Sequence, residues 1–454
     1  MRYQSITFGL KSTWLFASFI LIALVSSIGV AQVDTWTRKA DIPTARNWLG
    51  TTAVNGKIYA IGGLKSTGGL GVRVASTVEA YDPATDTWIK KADMPTARDD
   101  LSTIAIGGKI YAIGGFIQSS QTILSTVEVY DPTTDSWETK ADMPTRRFLP
   151  ATAVVDGKIY VIGGIIRLGD GAVSLVEMYD PATDTWTRKA DMPTARGWSG
   201  NNPPVVDGKI YVIGGWVTFQ GRPLATVEEY ETATDTWSGR AAMPTARAAL
   251  ETCMVDGKIY ALGGFTTSFD VQRSTVERYD PKNDRWERTA DIPTARGAHA
   301  ASTVNGIIYV IGGWNGALLS TVEAYDTGVG IRIQAISPIE GSPTGGEPIA
   351  MSGTGFPPDA IVTIGGKPLI NLEVINDTVI SGLTPPGTLG EHDYPNYRAR
   401  PEISSLCWTV PLSIAGRTHH QCNHAEPGAT DGGPNRHHCG HWLYPWCVRG
   451  HLGR

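Results

Sequence analysis

Basic charge, cysteine and long apolar runs are all scarce in this chain of 454 residues. Its 39 Lys and Arg are outnumbered by 44 Asp and Glu, which gives a formal net charge of −5. That balance leaves no positive field to hold nucleic acid, so we expect no nucleic-acid partner. Only Cys253 lies between residues 32 and 393. Disulfides therefore cannot hold this part of the chain together, and a hydrophobic core must do so.

The one long apolar run, Trp14–Ile28, lies close to the N-terminus. Arg2 and Lys11 supply positive charge, and the small residues Gly29–Ala31 follow, as in a secretory signal cleaved after Ala31. An uncleaved membrane anchor is the alternative, although the run is shorter than the roughly 20 residues that span a bilayer. We expect residues 1–31 to be a signal peptide and the mature chain to be secreted or periplasmic, with no membrane span.

Histidine is also scarce, since His299 is the only one between residues 32 and 327. One histidine and one cysteine cannot build a multi-histidine metal site, and no Ser-His-Asp arrangement is evident. The sequence therefore predicts no metal, no cofactor and no identifiable catalytic residue in this region.

Glycine pairs, by contrast, are abundant and regularly spaced. They begin at Gly62, Gly114, Gly163, Gly214, Gly263 and Gly312. Each pair is followed by a Val-Glu-x-Tyr segment, and tryptophans recur with the same period. Between these markers, apolar runs joined by Asn-Gly, Asp-Gly or Gly-Gly and a turn of the Asp-Pro type predict a four-stranded antiparallel meander. Six units at a period of about fifty residues indicate sheets arranged around an axis.

The phase of the repeat predicts how the ring closes. Trp36 precedes any Gly-Gly pair, and the last unit stops at Tyr325-Asp326 without a tryptophan strand. The six units are complete only if the segment around Trp36 supplies the outer strand of the sixth sheet. That pairing would remove two open sheet edges at once.

These residues resemble the kelch repeat over residues 32–327, and the resemblance implies an all-β fold, a six-bladed β-propeller closed by the N-terminal strand. Residues 331–393 resemble an IPT/TIG domain, an immunoglobulin-like sandwich, through Ser-Pro, Gly-Gly, Gly-x-Gly-Phe and Thr-Pro-Pro-Gly elements in order. The combination is similar to secreted bacterial kelch-repeat proteins.

Residues 394–454 differ in character, with four of the five cysteines and seven of the nine histidines. A zinc site is one hypothesis for Cys422, His424, His438, Cys439 and His441. The favoured interpretation is an irregular tail, frame-shifted or disordered, because the change falls inside the IPT/TIG-like domain. That domain is then incomplete and lacks its last strand.

Six copies of a Pro-Thr-Ala-Arg type segment precede the innermost strands and end in an arginine. These are Arg46, Arg98, Arg147, Arg196, Arg247 and Arg296. One glutamate also recurs in each unit, so six structural Arg–Glu pairs are one interpretation. In the other, the arginines ring one mouth of the central channel and two or three contact an acidic ligand, as the kelch resemblance implies. The meander places these segments at the same end as the divergent loops between second and third strands.

The candidate ligand-binding residues at this end are the six arginines with Trp48, Trp198, Trp216, Trp314 and His299; Phe219 and Phe269 lie in the divergent loops. We expect a non-catalytic extracytoplasmic binding module for a protein or glycan ligand. The alternative, implied by a periplasmic kelch relative, is a sugar epimerase or mutarotase acting on an anionic sugar such as sialic acid. Kelch-like copper oxidases are disfavoured because the propeller region has one His and one Cys.

Overall fold

The structure is a computed structural model. It describes residues 34–68, 71–218, 221–267, 271–329, 332–337, 344–354, 356, 360–364, 367–376, 378–386 and 412–415. These residues form strands, turns and loops, and the expected all-β class is confirmed. No helix among them is long and apolar enough to cross a bilayer. The expected signal peptide, the cysteines and histidines of the tail, Phe219 and Phe269 lie outside the described residues.

The described part of the unit Gln32–Val329 contains six four-stranded antiparallel sheets, which we call blades 1 to 6. In order from inner to outer strand, blade 1 has Gly50–Val54, Lys57–Ile61, Val78–Asp82 and Thr87–Lys91; blade 2 has Ser102–Ile106, Lys109–Ile113, Val127–Asp131 and Ser136–Lys140; blade 3 has Ala151–Val155, Lys158–Ile162, Val176–Asp180 and Thr185–Lys189. Blade 4 has Val205–Val206, Lys209–Ile213, Val227–Glu231 and Thr236–Arg240; blade 5 has Glu251–Val255, Lys258–Leu262, Val276–Asp280 and Arg285–Arg288; blade 6 has Ala300–Val304, Ile307–Ile311, Val322–Asp326 and Thr35–Lys39. The second and third strands are the most buried, so the core lies between neighbouring blades.

The outer strand of each blade is fastened to the blade before it. The tryptophan Nε1 donates to a backbone carbonyl there at 2.8–3.0 Å: Trp88 to Ala40, Trp137 to Ala92, Trp186 to Ala141, Trp237 to Ala190, Trp286 to Ala241 and Trp36 to Ala290. A buried tyrosine lies against each indole, with Tyr130 and Trp137 ring centroids 5.1 Å apart. The repeated Trp and Tyr therefore fill and latch the space between blades, as the sequence predicts.

The N-terminal strand completes blade 6. Thr35–Lys39 pairs antiparallel with Val322–Asp326, and Trp36 lies opposite Tyr325. The two rings stack at 4.9 Å, and the indole is half-buried. This pairing confirms the expected closure, although Trp36 keeps some exposure at the outer edge.

Close approach of neighbouring backbones explains the glycine pairs. Gly214 has φ of +65°, and a Cβ added there would lie 2.5 Å from the carbonyl oxygen of Arg247, which opens the next blade. A side chain at this position would collide with a main-chain atom that cannot move aside. The pair therefore marks the point where adjacent blades touch, at the end where the divergent loops begin.

Blade 4 departs from the repeat at the centre of the ring. Its inner strand has only two residues, Val205–Val206, because Asn201 and Asn202 cross the channel instead. Asn201 Nδ2 donates to Leu49 O at 3.3 Å and Asn202 Nδ2 to Thr51 O at 2.9 Å, both across the ring in blade 1. These two asparagines fill part of the channel below the variable end, and we call them the channel plug.

The described residues of the second unit form two sheets. Arg332–Ser337, Pro348–Thr354, Val379–Leu383 and Ile370–Asn376 form one, in that spatial order. Lys367–Pro368, Ile361–Ile364 and Leu412–Ala415 form the other. Leu412–Ala415 falls in the segment that we expected to be irregular, and it pairs antiparallel with Ile361–Ile364. The prediction of an irregular tail is therefore wrong for these four residues, which supply a strand to the domain expected to lack one.

Candidate binding site

The six repeated arginines lie at the expected end of the propeller, but they are buried. All have 0–1% of their surface exposed. Each pairs with the glutamate of its own unit: Arg46 with Glu79, Arg98 with Glu128, Arg147 with Glu177, Arg196 with Glu228, Arg247 with Glu277 and Arg296 with Glu323. Burial lowers the pKa of Arg46 to about 10, while the paired carboxylate opposes this shift.

Arg247 shows the bonding that five of the six share. Its Nη1 donates to the carbonyl oxygens of Gly263 and Thr275, both at 2.8 Å. Its Nη2 lies 2.8 Å from Glu277 Oε2, and Thr245 Oγ1 donates to the other oxygen of that carboxylate. The guanidinium thus joins the start of its blade to the second and third strands.

Arg98 is the exception. Its Nη2 lies 3.1 Å from Glu128 and donates to the Ala112 carbonyl at 3.0 Å. Its Nε and Nη1 are enclosed and have no hydrogen-bond partner among the described residues. Blade 2 therefore holds its arginine by fewer bonds than the other blades.

This burial is the arrangement of structural pegs, the first of the two interpretations of the repeated arginines. A guanidinium without exposed surface cannot meet an acidic ligand unless the blade opens. We therefore withdraw Arg46, Arg98, Arg147, Arg196, Arg247 and Arg296 as candidate ligand contacts.

A ring of left-handed residues closes the variable end, one residue two positions after each arginine. They are Trp48, Asp100, Leu149, Trp198, Ala249 and Ala298, with φ between 48° and 56°. Their amides and carbonyls bond from blade to blade: Trp48 N to Ala298 O, Asp100 N to Trp48 O, Leu149 N to Asp100 O, Ala249 N to Trp198 O and Ala298 N to Ala249 O, at 2.8–3.1 Å. Residues other than glycine seldom adopt this left-handed backbone conformation, which costs conformational free energy. The hydrogen-bonded ring holds the six residues in it and so fixes the directions of their side chains. We call it the mouth ring.

An aromatic layer surrounds the mouth ring. The residue after each Gly-Gly pair is large and apolar: Leu64, Phe116, Ile165, Trp216, Phe265 and Trp314. Trp216 is fully buried, perpendicular to Trp198 at 5.6 Å and stacked on Phe265 at 6.5 Å. Trp216 therefore belongs to the floor beneath the surface, and the expectation that it contacts a ligand is wrong for this geometry.

His299 is also a core residue and not a candidate ligand contact. It is 2% exposed, and neither ring nitrogen has a hydrogen-bond partner among the described residues. Burial, with the nearby arginines, lowers its pKa to about 3, so the imidazole is neutral. It packs against Gly313 as Leu49 packs against Gly63, which shows that it occupies a leucine position of the repeat.

A pocket of about 1020 Å³ opens above the mouth ring, between the divergent loops. Trp48, Trp198 and Trp314 line it, as the sequence predicts for this end, together with Phe116 and Phe148. The described lining includes the carboxylates of Asp100 and Asp170 and no arginine or lysine. Among the described lining residues, an acidic ligand would therefore find no basic side chain, and an acidic ligand stays a prediction without support from this pocket.

The sequence reasoning missed the polar residues of the pocket floor. Asp100 belongs to the mouth ring and lines the pocket, and Asp99 beside it is fully buried. Gln118 Nε2 donates to Asp99 Oδ2 at 3.0 Å. Burial raises the pKa of Asp99 to about 6, and burial, with repulsion from Asp99, raises the pKa of Asp100 well above its usual value. The sequence does contain a sign of this site, because Arg98 is the one arginine of the repeat that is followed by an acidic residue.

A further buried carboxylate, that of Glu251, lies beside the channel plug. It accepts the backbone N–H of Asn201 at 3.2 Å. Burial raises its pKa to about 8. Sequence reasoning missed this group because its neighbour Asn201 belongs to the one irregular inner segment of the repeat.

Three family models match the chain in the order that the sheets suggest. The Kelch motif matches residues 49–95, the Attractin/LZTR1 beta-propeller matches residues 110–325 and the IPT/TIG domain matches residues 332–395. The chain carries a kelch β-propeller followed by an IPT/TIG domain.

Curated relatives of this kelch propeller match over short stretches. The chain is 38% identical to Kelch-like protein 40 of Xenopus tropicalis over 81 residues, which are 18% of this chain and 12% of that protein. It is 35% identical to Beta-scruin of Limulus polyphemus over 82 residues, 18% of this chain and 8% of that protein. It is 33% identical to Kelch-like protein 28 of Homo sapiens over 88 residues, 19% of this chain and 15% of that protein. The chain thus matches only a small part of each relative, and all three are animal proteins.

Proposed function

We propose that the variable end of the propeller docks a segment of another protein, and that the chain is a non-catalytic binding module. The observation that carries this proposal is the pocket of about 1020 Å³ with aromatic walls, open between loops that differ from blade to blade. A concave, largely apolar site with a few polar groups is typical of ligand recognition.

Exposed apolar side chains of the divergent loops extend the surface available to a partner beyond the pocket, which Val72 and Leu168 line. Val72, Leu168, Val217 and Val271 lie in four different divergent loops and are 49%, 43%, 38% and 40% exposed. Apolar residues grouped around a pocket and left in water favour a protein interface. Aromatic residues are enriched at the centres of such interfaces, as they are here.

The comparisons support the same role at a coarser level. Kelch propellers generally bind proteins, and the relatives named above carry kelch repeats. A glycan ligand of the same surface stays a prediction, and an acidic glycan would not meet the six repeated arginines, which are buried. Because the six arginines are buried, they do not line the mouth of the channel, and the epimerase or mutarotase alternative loses the basic side chains expected to hold an anionic sugar.

Peptide display against the full-length protein tests the proposal. We expect enriched peptides whose binding is lost in Leu168→Asp, which places a charge on the pocket rim. The matched control is Ile89→Asp, which changes an apolar residue that is 53% exposed on the outer strand of blade 1. Peptides that bind both variants as they bind the unmodified protein, or no enrichment at all, would overturn the proposal.

We further propose that the protein acts outside the cytoplasm. The support is the signal-like composition of residues 1–31. N-terminal sequencing of the protein recovered outside the cytoplasm is expected to begin at Gln32. Retention of the full chain with Met1 in the cytoplasm would contradict this part.

A further inference from the structure

We propose that the pocket floor receives a cationic side chain of the partner, an arginine by preference, with Asp100 as its direct contact. This inference rests on the proposed function and names the chemistry that the same site recognises. It reverses the polarity expected from the repeated arginines: the carboxylate belongs to this protein, and the guanidinium belongs to the ligand.

The first support is that the two aspartates have no positive partner in the part of the chain that the structure describes. No Arg, Lys or His of the described residues forms an ion pair with Asp99 or Asp100. Asp100 Oδ1 and Asp99 Oδ1 are enclosed and accept no hydrogen bond there. A buried carboxylate without a partner is unfavourable, and a cation entering the pocket would relieve that.

The second support is that the fold does not require acidic residues at these positions. The equivalent pairs in the other blades are Asn47-Trp48, Phe148-Leu149, Gly197-Trp198, Ala248-Ala249 and Gly297-Ala298. All of them carry the same left-handed backbone at the second residue. Blade 2 therefore keeps two carboxylates that the mouth ring itself does not need.

The third support is the wall around the carboxylate. Asp100 N donates to Trp48 O at 3.1 Å, so the acid and that indole belong to adjacent positions of the mouth ring. Trp198, Trp314, Phe116 and Phe148 line the same cavity. Aromatic faces attract cations, and a planar, weakly hydrated guanidinium stacks on them while it bonds a carboxylate. An arginine fits this combination better than a lysine does.

The test compares two small probes on the full-length protein, N-acetyl-arginine methylamide and its neutral isostere N-acetyl-citrulline methylamide. Binding is followed by tryptophan fluorescence and by calorimetry at low salt. We expect the arginine probe to bind at least about tenfold more tightly, since bonds to a charged group exceed neutral ones. Asp100→Asn should abolish that difference, and asparagine tolerates the left-handed backbone of this position.

The matched control is Asp256→Asn, which removes an exposed aspartate with the same left-handed backbone, in the turn between Glu251–Val255 and Lys258–Leu262 and outside the pocket lining. It should keep the preference for arginine. Asp99→Asn provides a second variant and should weaken the preference. Equal binding of the two probes, equal loss in the Asp256 variant, or no saturable binding of the arginine probe would overturn the inference.

These outcomes are separable from those of the proposed function. Displayed peptides that need the Leu168 rim but show no preference for a basic residue would overturn the cation inference alone. Arginine-probe binding that depends on Asp100, with no peptide sensitive to Leu168→Asp, would support the cation site and contradict the larger docking surface.

Discussion

At the scale of single residues, the repeated charged side chains of the propeller form buried Arg–Glu pairs that stabilise its interior. The side chains available to a ligand are those of the pocket at the variable end. Arg247 and Glu277 form a buried pair whose remaining hydrogen-bonding atoms are taken by main-chain carbonyls and by Thr245. Removing one partner of such a pair leaves an uncompensated buried charge, which is strongly destabilising. The repeated arginine is therefore a feature of stability, and its effect should depend on how many bonds each copy makes.

Arg247→Met should lower the free energy of unfolding by about 3–5 kcal/mol, because it leaves the Glu277 carboxylate buried and unpaired. Arg98→Met should cost less, because Nε and Nη1 of Arg98 already lack partners. Urea denaturation followed by tryptophan fluorescence measures both. Two equal losses, or a larger loss for Arg98→Met, would contradict the bonding difference between blades 2 and 5.

His299 occupies a leucine position, so His299→Leu should preserve the fold and flatten its acid sensitivity. Burial lowers the folded-state pKa from 6.5 to about 3, so the unfolded chain binds a proton that the folded chain rejects. Stability is therefore lost as the pH falls from 6.5 towards 3. We expect the leucine variant to lose less melting temperature than the parent over that range. Identical pH profiles of the two proteins would refute this assignment.

At the scale of elements, blade 4 exchanges an inner strand for a crossing of the channel. Asn201 accepts hydrogen bonds from Thr152 N at 2.9 Å and from Ser102 Oγ at 2.8 Å, while its amide reaches Leu49. Asn201 thus joins blades 1, 2 and 3 through one residue. The channel plug lies below the mouth ring, and its bonds replace the ladder that a longer inner strand would have made.

Glu251→Gln should remove a pH dependence of the opposite sign. Burial raises the pKa of Glu251 from 4.5 to about 8, so the folded protein holds a proton that the unfolded chain releases. The associated stability is present below 4.5 and is lost as the pH rises through about 8. Glutamine imitates the protonated acid, so the variant should keep its melting temperature from pH 5 to about pH 8 better than the parent does. A parallel decline of both proteins would contradict a buried, protonated Glu251.

The sequence predicted regular elements better than it predicted exposure. The regular recurrence of glycine pairs such as the one at Gly214, and of tryptophans such as Trp137, predicts the blades. Each glycine pair allows a close approach of two backbones, and each tryptophan makes a hydrogen bond to the preceding blade, so both residue types recur once in every blade. The same regular spacing suggested that Arg196 and its five equivalents form a ring of accessible charge. A repeated polar residue in a loop gives the same sequence pattern whether its side chain faces solvent or a buried carboxylate. Only the depth of Arg196 in the structure separates the two interpretations.

Residues that break the repeat were the hardest to interpret from the sequence. Asp99, Asp100 and Asn201 occupy positions whose neighbours lie far away in the chain, and their surroundings depend on ring closure. Their hydrogen bonds and burial could not be inferred from local spacing. They nevertheless stand out as departures from a sixfold pattern, which is where the candidate site lies.

At the scale of the whole molecule, the ring depends on one contact between distant parts of the chain. Trp36 bonds Ala290 and stacks on Tyr325, and these contacts copy those of the internal outer strands. An open ring would expose two sheet edges and the apolar faces of blades 1 and 5. Closure should therefore stabilise every blade and not only blade 6.

Trp36→Ala should lower the free energy of unfolding by about 2–4 kcal/mol, somewhat below full core truncations because the indole is half-buried. Trp137→Ala is the matched control, with the same latch at 3.0 Å inside an uninterrupted blade. We expect Trp36→Ala also to increase hydrogen exchange in blade 1, while Trp137→Ala affects blades 1 and 2 locally. Removal of residues 34–40 without any change in melting temperature would show that the ring does not depend on this strand.

The closure of blade 6 has a kinetic consequence. The strand Thr35–Lys39 is synthesised before the other propeller strands, but it cannot pair until its partner Val322–Asp326 has been synthesised. In blade 1 the third and fourth strands are joined through Asp82-Pro-Ala-Thr-Asp86, and Asp86 accepts the hydroxyl of Tyr81. Asp34 accepts the hydroxyl of Tyr325 in the same way, but the chain between them is almost the entire ring. Joining Asp326 to Asp34 through Pro-Ala-Thr, with new termini before blade 1, would turn that long-range pairing into a hairpin. Such a circular permutant should reach the same ring faster, since loop-closure entropy and contact order both fall.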